Sequence, residues 1–155
     1  MNVISEWLKK NVPTRRKNYP AGALIFSTGD SANIVYFIES GDVRITRKMP
    51  DIGSDISLGV LGPEELFGII AFMTGKPRTA DARAVTDCVL WEIDKETFRE
   101  AVTKDPKFTR FVIKGMTRRL EDLHTKLKNT TELMTDFTRR MEDLSVVWHS
   151  LITWG

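Results

Sequence analysis

Ile34-Val35-Tyr36-Phe37-Ile38-Glu39, then Ser40-Gly41, then Asp42-Val43-Arg44-Ile45-Thr46-Arg47: this stretch decides how the chain folds. Two runs rich in β-branched and aromatic residues meet at a glycine-containing turn, and the same texture continues on both sides, from about residue 18 to residue 94. The spacing predicts strands at 23–26, 34–39, 42–47, 55–61, 78–84 and 88–93. Between them stand Thr28-Gly29-Asp30, Pro50-Asp51-Ile52-Gly53, Gly62-Pro63 and Thr86-Asp87, residues that favour turns. Short strands cut at this rate are the pattern of an antiparallel sandwich. One segment differs: residues 63–77 are apolar but bracketed by Gly-Pro and Lys-Pro, which suits a short helix inside a loop.

Helical spacing takes over at both ends. Val3, Ile4, Trp7 and Leu8 share one face of a short docking helix within residues 1–12. The following Arg15-Arg16-Lys17 reads as a solvated loop rather than a phosphate patch. After the strands, Phe98, Ala101 and Val102 fit a helix capped by Asp94, and Asp105-Pro106 supplies a second cap with proline at the first helical position. From there Ile113, Met116, Leu120, Leu123, Leu127, Thr130, Met134, Phe137, Met141, Leu144, Trp148 and Leu151 alternate spacings of three and four, and all but Thr130 are apolar. At 1.5 Å per residue this seam runs for roughly 55 to 60 Å, more than a small sandwich can cover, so a second copy of the helix is its expected partner. A hairpin folding back at Lys128-Asn129-Thr130-Thr131 is the alternative. Arg119, Lys126 and Arg140 flank the seam opposite Thr, His and Ser, so the charges leave parallel and antiparallel pairing both open.

The bulk properties fit one domain plus an appendage. The chain has 155 residues, 41% hydrophobic and 28% charged, enough apolar material for a core. Twenty-three Lys and Arg stand against 21 Asp and Glu, so no global field draws it to nucleic acid or to an anionic membrane. The N-terminus lacks the basic start and apolar run of a signal peptide, no stretch is long enough to span a membrane, and Cys88 is the single cysteine. A cytoplasmic location is expected. His124 and His149 share no ligand spacing with each other or with Cys88, and no Walker, dinucleotide or nucleophile motif occurs, so neither a metal site nor catalysis is expected. Trp91 in a strand and Trp148 in the seam read as core residues.

With these elements placed, residues 20–120 resemble the cyclic-nucleotide-binding domain of catabolite activator-type regulators, kinase regulatory subunits and gated channels. The resemblance is carried by Tyr19-Pro20-Ala21-Gly22-Ala23-Leu24-Ile25-Phe26, Gly29-Asp30-Ser31-Ala32, the stretch from Val35 to Ile45, Leu66-Phe67-Gly68 and Pro77-Arg78-Thr79-Ala80. It implies a fold that is mainly β with α: an antiparallel jelly-roll sandwich with an N-terminal helix over residues 1–103, and a long dimerising coiled-coil helix over 104–155. It also implies a phosphate-binding cassette built from Gly68, Ile69, Ile70, Ala71, Arg78, Thr79 and Ala80. There Arg78 would supply charge, Thr79 a hydroxyl, Ala80 or Ala71 a backbone N–H, and Gly68 room for close approach. The sequence departs from the pattern at Phe67-Gly68-Ile69, where the family's acid, which holds the ribose hydroxyl, is replaced by Ile69. The alternative for Arg78 is a brace against Glu64, Glu65 or Asp81.

The implied ligand is cAMP, cGMP or another phosphate-bearing nucleotide, and no other cofactor is called for. The implied role is a non-enzymatic regulatory sensor that pairs as a homodimer and signals by helix movement to a partner protein. Direct contact with nucleic acid is not expected, because no winged helix-turn-helix follows the helix here. A ligand-free scaffold and the N-terminal part of a transcription regulator are the competing readings.

Overall fold

The computed structural model describes the backbone of residues 3–12 and 15–153 and the side chains of residues 4–12 and 15–142. The chain divides into two compact units, Met1–Val112 and Ile113–Gly155. The first contains α1 (Val3–Asn11), β1 (Arg16–Tyr19), β2 (Leu24–Phe26), β3 (Ile34–Ser40), β4 (Val43–Met49), β5 (Ser54–Leu61), β6 (Leu66–Phe67), α2 (Ile69–Thr74), β7 (Asp81–Ala84), β8 (Cys88–Asp94) and α3 (Lys95–Lys104). Helix α4 (Pro106–Thr153) starts there and supplies the second unit.

The strands form two antiparallel sheets, ordered β1-β8-β3-β6 and β2-β7-β4-β5. The central strands of the first sheet, β3 and β8, are buried on both faces, and the period of two along them sorts the side chains. Val35, Phe37, Trp91 and Ile93 face the helices, where they meet Ile4 and Leu8 of α1, Ile69 and Phe72 of α2, Phe98 of α3 and Phe108 of α4. Tyr36, Ile38, Cys88 and Leu90 face the other sheet and pack with Phe26, Val43, Phe67, Ala82 and Ala84. Trp91 is core as expected, and its indole Nε1 donates to Glu39 at 2.7 Å.

Three sequence expectations change. Arg15-Arg16-Lys17 is not a solvated loop: Arg16 and Lys17 lie on β1, whose residues pair with β8. Each cation meets a distant acid, Arg15 to Asp94 at 3.0 Å, Arg16 to Glu39 at 2.9 Å and Lys17 to the buried Glu92 at 2.8 Å. Pairs so far apart in sequence leave no local periodicity. The strand expected at 78–84 begins only at Asp81, because Arg78 is held in the preceding loop, its N–H donating to Asp30 and its carbonyl accepting from Gly29. The hairpin alternative for the C-terminal segment does not form, since α4 runs unbroken for 48 residues through Lys128-Asn129-Thr130-Thr131, residues that disfavour helix only weakly.

Both expected caps are present. The Asp105 carboxylate accepts from the N–H of Lys107 at 2.8 Å and opens α4. Asp94 accepts from Thr97 N–H at 2.9 Å, and this bond, chiefly, holds its carboxyl below the usual carboxylate range. Asp94→Ala should therefore cost about 1 kcal/mol by urea denaturation near neutral pH. A depressed folded-state pKa contributes stability above the unfolded value and loses it as pH falls through the folded one, so the gap between wild type and variant should close on acidification.

Among the seam residues, Ile113, Met116, Leu120, Leu123, Leu127, Met134, Phe137 and Met141 are all exposed in the single chain. The side chains of Leu144, Trp148 and Leu151 lie outside the described residues.

Candidate ligand-binding site

The segment between β6 and β7 turns twice through left-handed glycines, Gly68 at φ 76° and Gly75 at φ 70°, with the six-residue α2 between them. At Gly68 the requirement is double, since a Cβ there would sit 2.7 Å from Arg78 Nη1 as well as in a strained backbone region. Arg78 is only 4% exposed. Its Nη1 donates to the Gly68 carbonyl at 2.6 Å and its Nη2 to the Ile34 carbonyl. The guanidinium carbon lies 4.3 Å from the centroid of Phe26 and 5.8 Å from that of Tyr36. Phe67 stacks on Tyr36 at 5.0 Å, so strands of both sheets build this aromatic bed.

The charge on Arg78 is not neutralised by a carboxylate. Among the described residues no ion pair reaches it, and Nε finds no acceptor in the protein. Burial pulls its pKa down, only partly offset by the field of Tyr36 and Asp30. Two of the three alternative braces are engaged elsewhere: Glu65 accepts from Gly62 N–H at 2.7 Å, and Asp81 takes both the N–H and the hydroxyl of Thr28. Carbonyl dipoles and ring faces compensate a desolvated cation less well than an anion does. The arrangement is chemically suited to a phosphate or carboxylate, which a guanidinium binds through paired, charge-assisted hydrogen bonds.

The other residues expected in the cassette separate. Gly68 and Arg78 are brought together. Ile69 is buried in the helix-side cluster with Phe72 and Phe98. Ala71 and Ala80 are also buried, whereas Ile70 and Thr79 lie at the surface. The platform of Phe26 and Tyr36 and the acceptor carbonyl of Ile34 carry no sequence signal beyond strand-forming residue types.

The sequence profile of the cyclic nucleotide-binding domain matches residues 16–105. The chain belongs to that family. The match to the cyclic nucleotide-binding domain spans both sheets, the segment between β6 and β7 with α2, and α3. The CRP-like cAMP-activated global transcriptional regulator of Mycobacterium tuberculosis is 27% identical over 124 residues, 80% of this chain and 54% of that protein. The cAMP-dependent protein kinase regulatory subunit of Yarrowia lipolytica is 34% identical over 86 residues, 56% of this chain and 21% of that protein. The crystal structure of Thermus thermophilus catabolite activator protein superposes with a TM-score of 0.64 at 31% identity, covering 75% of this chain and 54% of that one. The chain thus spans about half the length of the bacterial relatives it matches. Those relatives are regulators. Among the described residues no helix is long and apolar enough to cross a membrane, and no cluster of three metal-ligating side chains occurs.

Proposed function

We propose that the chain is a non-catalytic cytoplasmic sensor that binds a cyclic nucleotide, cAMP or cGMP, at the cassette. The observation that carries this reading is Arg78, a buried guanidinium with an aromatic bed, no carboxylate and an unmatched Nε. In it Arg78 takes the cyclic phosphate, Gly68 admits the close approach, and backbone amides of Ala71 or Ala80 with the Thr79 hydroxyl complete the cradle. Ile69 offers no acceptor for a sugar hydroxyl, a loss of about 1 to 3 kcal/mol against a cassette that has one. Residues 1–103 are the sensing part and 104–155 the output helix.

A route for the signal follows the rings. Phe72 of α2 meets Phe98 of α3 at 5.2 Å, and Phe98 meets Phe108 at the start of α4 at 5.8 Å, so a shift of α2 loads the helices directly. Isothermal titration calorimetry of nucleotide-free protein with cAMP and cGMP tests the reading. Saturable binding at one site per chain is expected, and silence with both would leave a ligand-free scaffold.

The exposed seam of α4 pairs two copies in this reading. Leu123→Lys with Leu144→Lys should undo the seam pairing and halve the mass in sedimentation velocity, since two buried lysines per helix cannot be accommodated in an apolar seam. An unchanged mass would remove the seam from the interface.

A further inference from the structure

Alongside the apolar seam, α4 carries a second stripe of a different character. Arg119, Asp122, Lys126, Asn129, Leu133, Asp136 and Arg140 follow at alternating spacings of three and four, each one position before a seam residue, which places them roughly 100° around the helix from the seam. Cation and acid alternate along it, and Asp143 continues the register in the sequence. Leu133, at its middle, is 71% exposed.

Such a row is usually a solvated face tied together within its own helix. Asp136 is so engaged, with Arg139 at 3.0 Å and Arg140 at 2.9 Å. Arg119, Asp122 and Lys126, however, make no ion pair among the described residues. Laid antiparallel on a second copy, with Thr131 of both chains at the crossing point, the described charges of the row fall opposite partners of the other sign. Lys126 faces Asp136 and Arg140 faces Asp122, each twice by symmetry, while Leu133 and Asn129 meet at the centre without charge. A parallel, in-register pairing would instead stack Arg119 on Arg119 and Lys126 on Lys126.

We propose that this charge-alternating stripe of α4 is a second self-association surface, which takes another copy of the same helix in antiparallel orientation. The stripe borders the seam, since Arg119, Lys126, Leu133 and Arg140 each precede a seam residue by one position, but its charge pairs involve no seam residue. With the seam paired as well, the assembly is a tetramer.

Sedimentation velocity of the full chain tests this in 50 mM and 1 M NaCl, with circular dichroism to confirm that helix content is kept. Wild type should be tetrameric at low salt, with association at least tenfold weaker at high salt. Lys126→Glu should halve the mass, and Lys126→Glu with Asp136→Lys should restore it. In the Leu123→Lys, Leu144→Lys background a dimer sensitive to Lys126→Glu is expected. A mass indifferent to salt and to Lys126→Glu, a charge swap that fails to restore assembly, or a monomer throughout would each overturn the proposal. If only the seam variant changes the mass, seam pairing stands and the stripe is a solvated face.

Discussion

Replacing Arg78 by methionine is expected to abolish nucleotide binding in calorimetry while leaving the melting temperature within about 5 °C of wild type. Hydrogen bonds to a charged group contribute about 1.5 to 3 kcal/mol each, so losing the two that a guanidinium makes to a phosphate weakens binding by about a hundredfold to ten-thousandfold. The stability side is a near balance. Methionine leaves the Gly68 and Ile34 carbonyls without their donors, at about 1 to 3 kcal/mol apiece. It also relieves a desolvated cation, a cost of several kcal/mol, and fills the space over Phe26 and Tyr36 with polarizable, apolar atoms. A residue that braced the loop would behave differently. A drop in melting temperature beyond about 15 °C with binding retained would assign Arg78 to the scaffold and end the phosphate reading.

Gly41→Ala is expected to be the most damaging small substitution in the sheet region. Gly41 turns β3 into β4 at φ 87°, and a Cβ there would lie 2.4 Å from the Asp87 carbonyl oxygen, 2.7 Å from Cys88 Sγ and 2.8 Å from Cys88 Cα. Two of those three atoms are backbone, so neither can swing aside. Left-handed strain of about 1 to 3 kcal/mol adds to overpacking of similar size. Against a total stability of about 5 to 15 kcal/mol, this should lower the melting temperature by more than about 10 °C. Gly53, also left-handed at φ 67° but with nothing within 4 Å of a Cβ, is the control: Gly53→Ala should show the strain alone. Equal losses at the two positions would mean that the hairpin turn tolerates displacement of the β7–β8 connection.

What the residues announced and what they concealed divide along the distance over which each interaction acts. Asp94 and Asp105-Pro106 were legible as helix starts because a cap acts on amides two or three positions away. The strands from β2 to β5 were legible because alternation and glycine turns are local. β1 was concealed, since Arg16 and Lys17 look like surface charges until β8 brings β1 alongside it and Glu39 and Glu92 supply their partners. β6, only two residues long, gives no period to read. In the cassette, Gly68 and Arg78 were both picked out, and the structure joins them. The direction of Ile69 was not legible: an apolar residue just after a left-handed glycine can turn either way, and here the pull of Phe72 and Phe98 takes it into the core.

The state of Arg78 also bears on how long such a site lasts under selection. Where the desolvation of the guanidinium offsets its bonds to the Gly68 and Ile34 carbonyls, little in folding opposes replacement at this codon. One base change would turn many arginine codons into leucine, histidine or glutamine, and a lineage freed of its ligand would be expected to wander there. Under the proposed function, it is ligand binding rather than folding that would keep this arginine beneath Gly68 and over its aromatic bed.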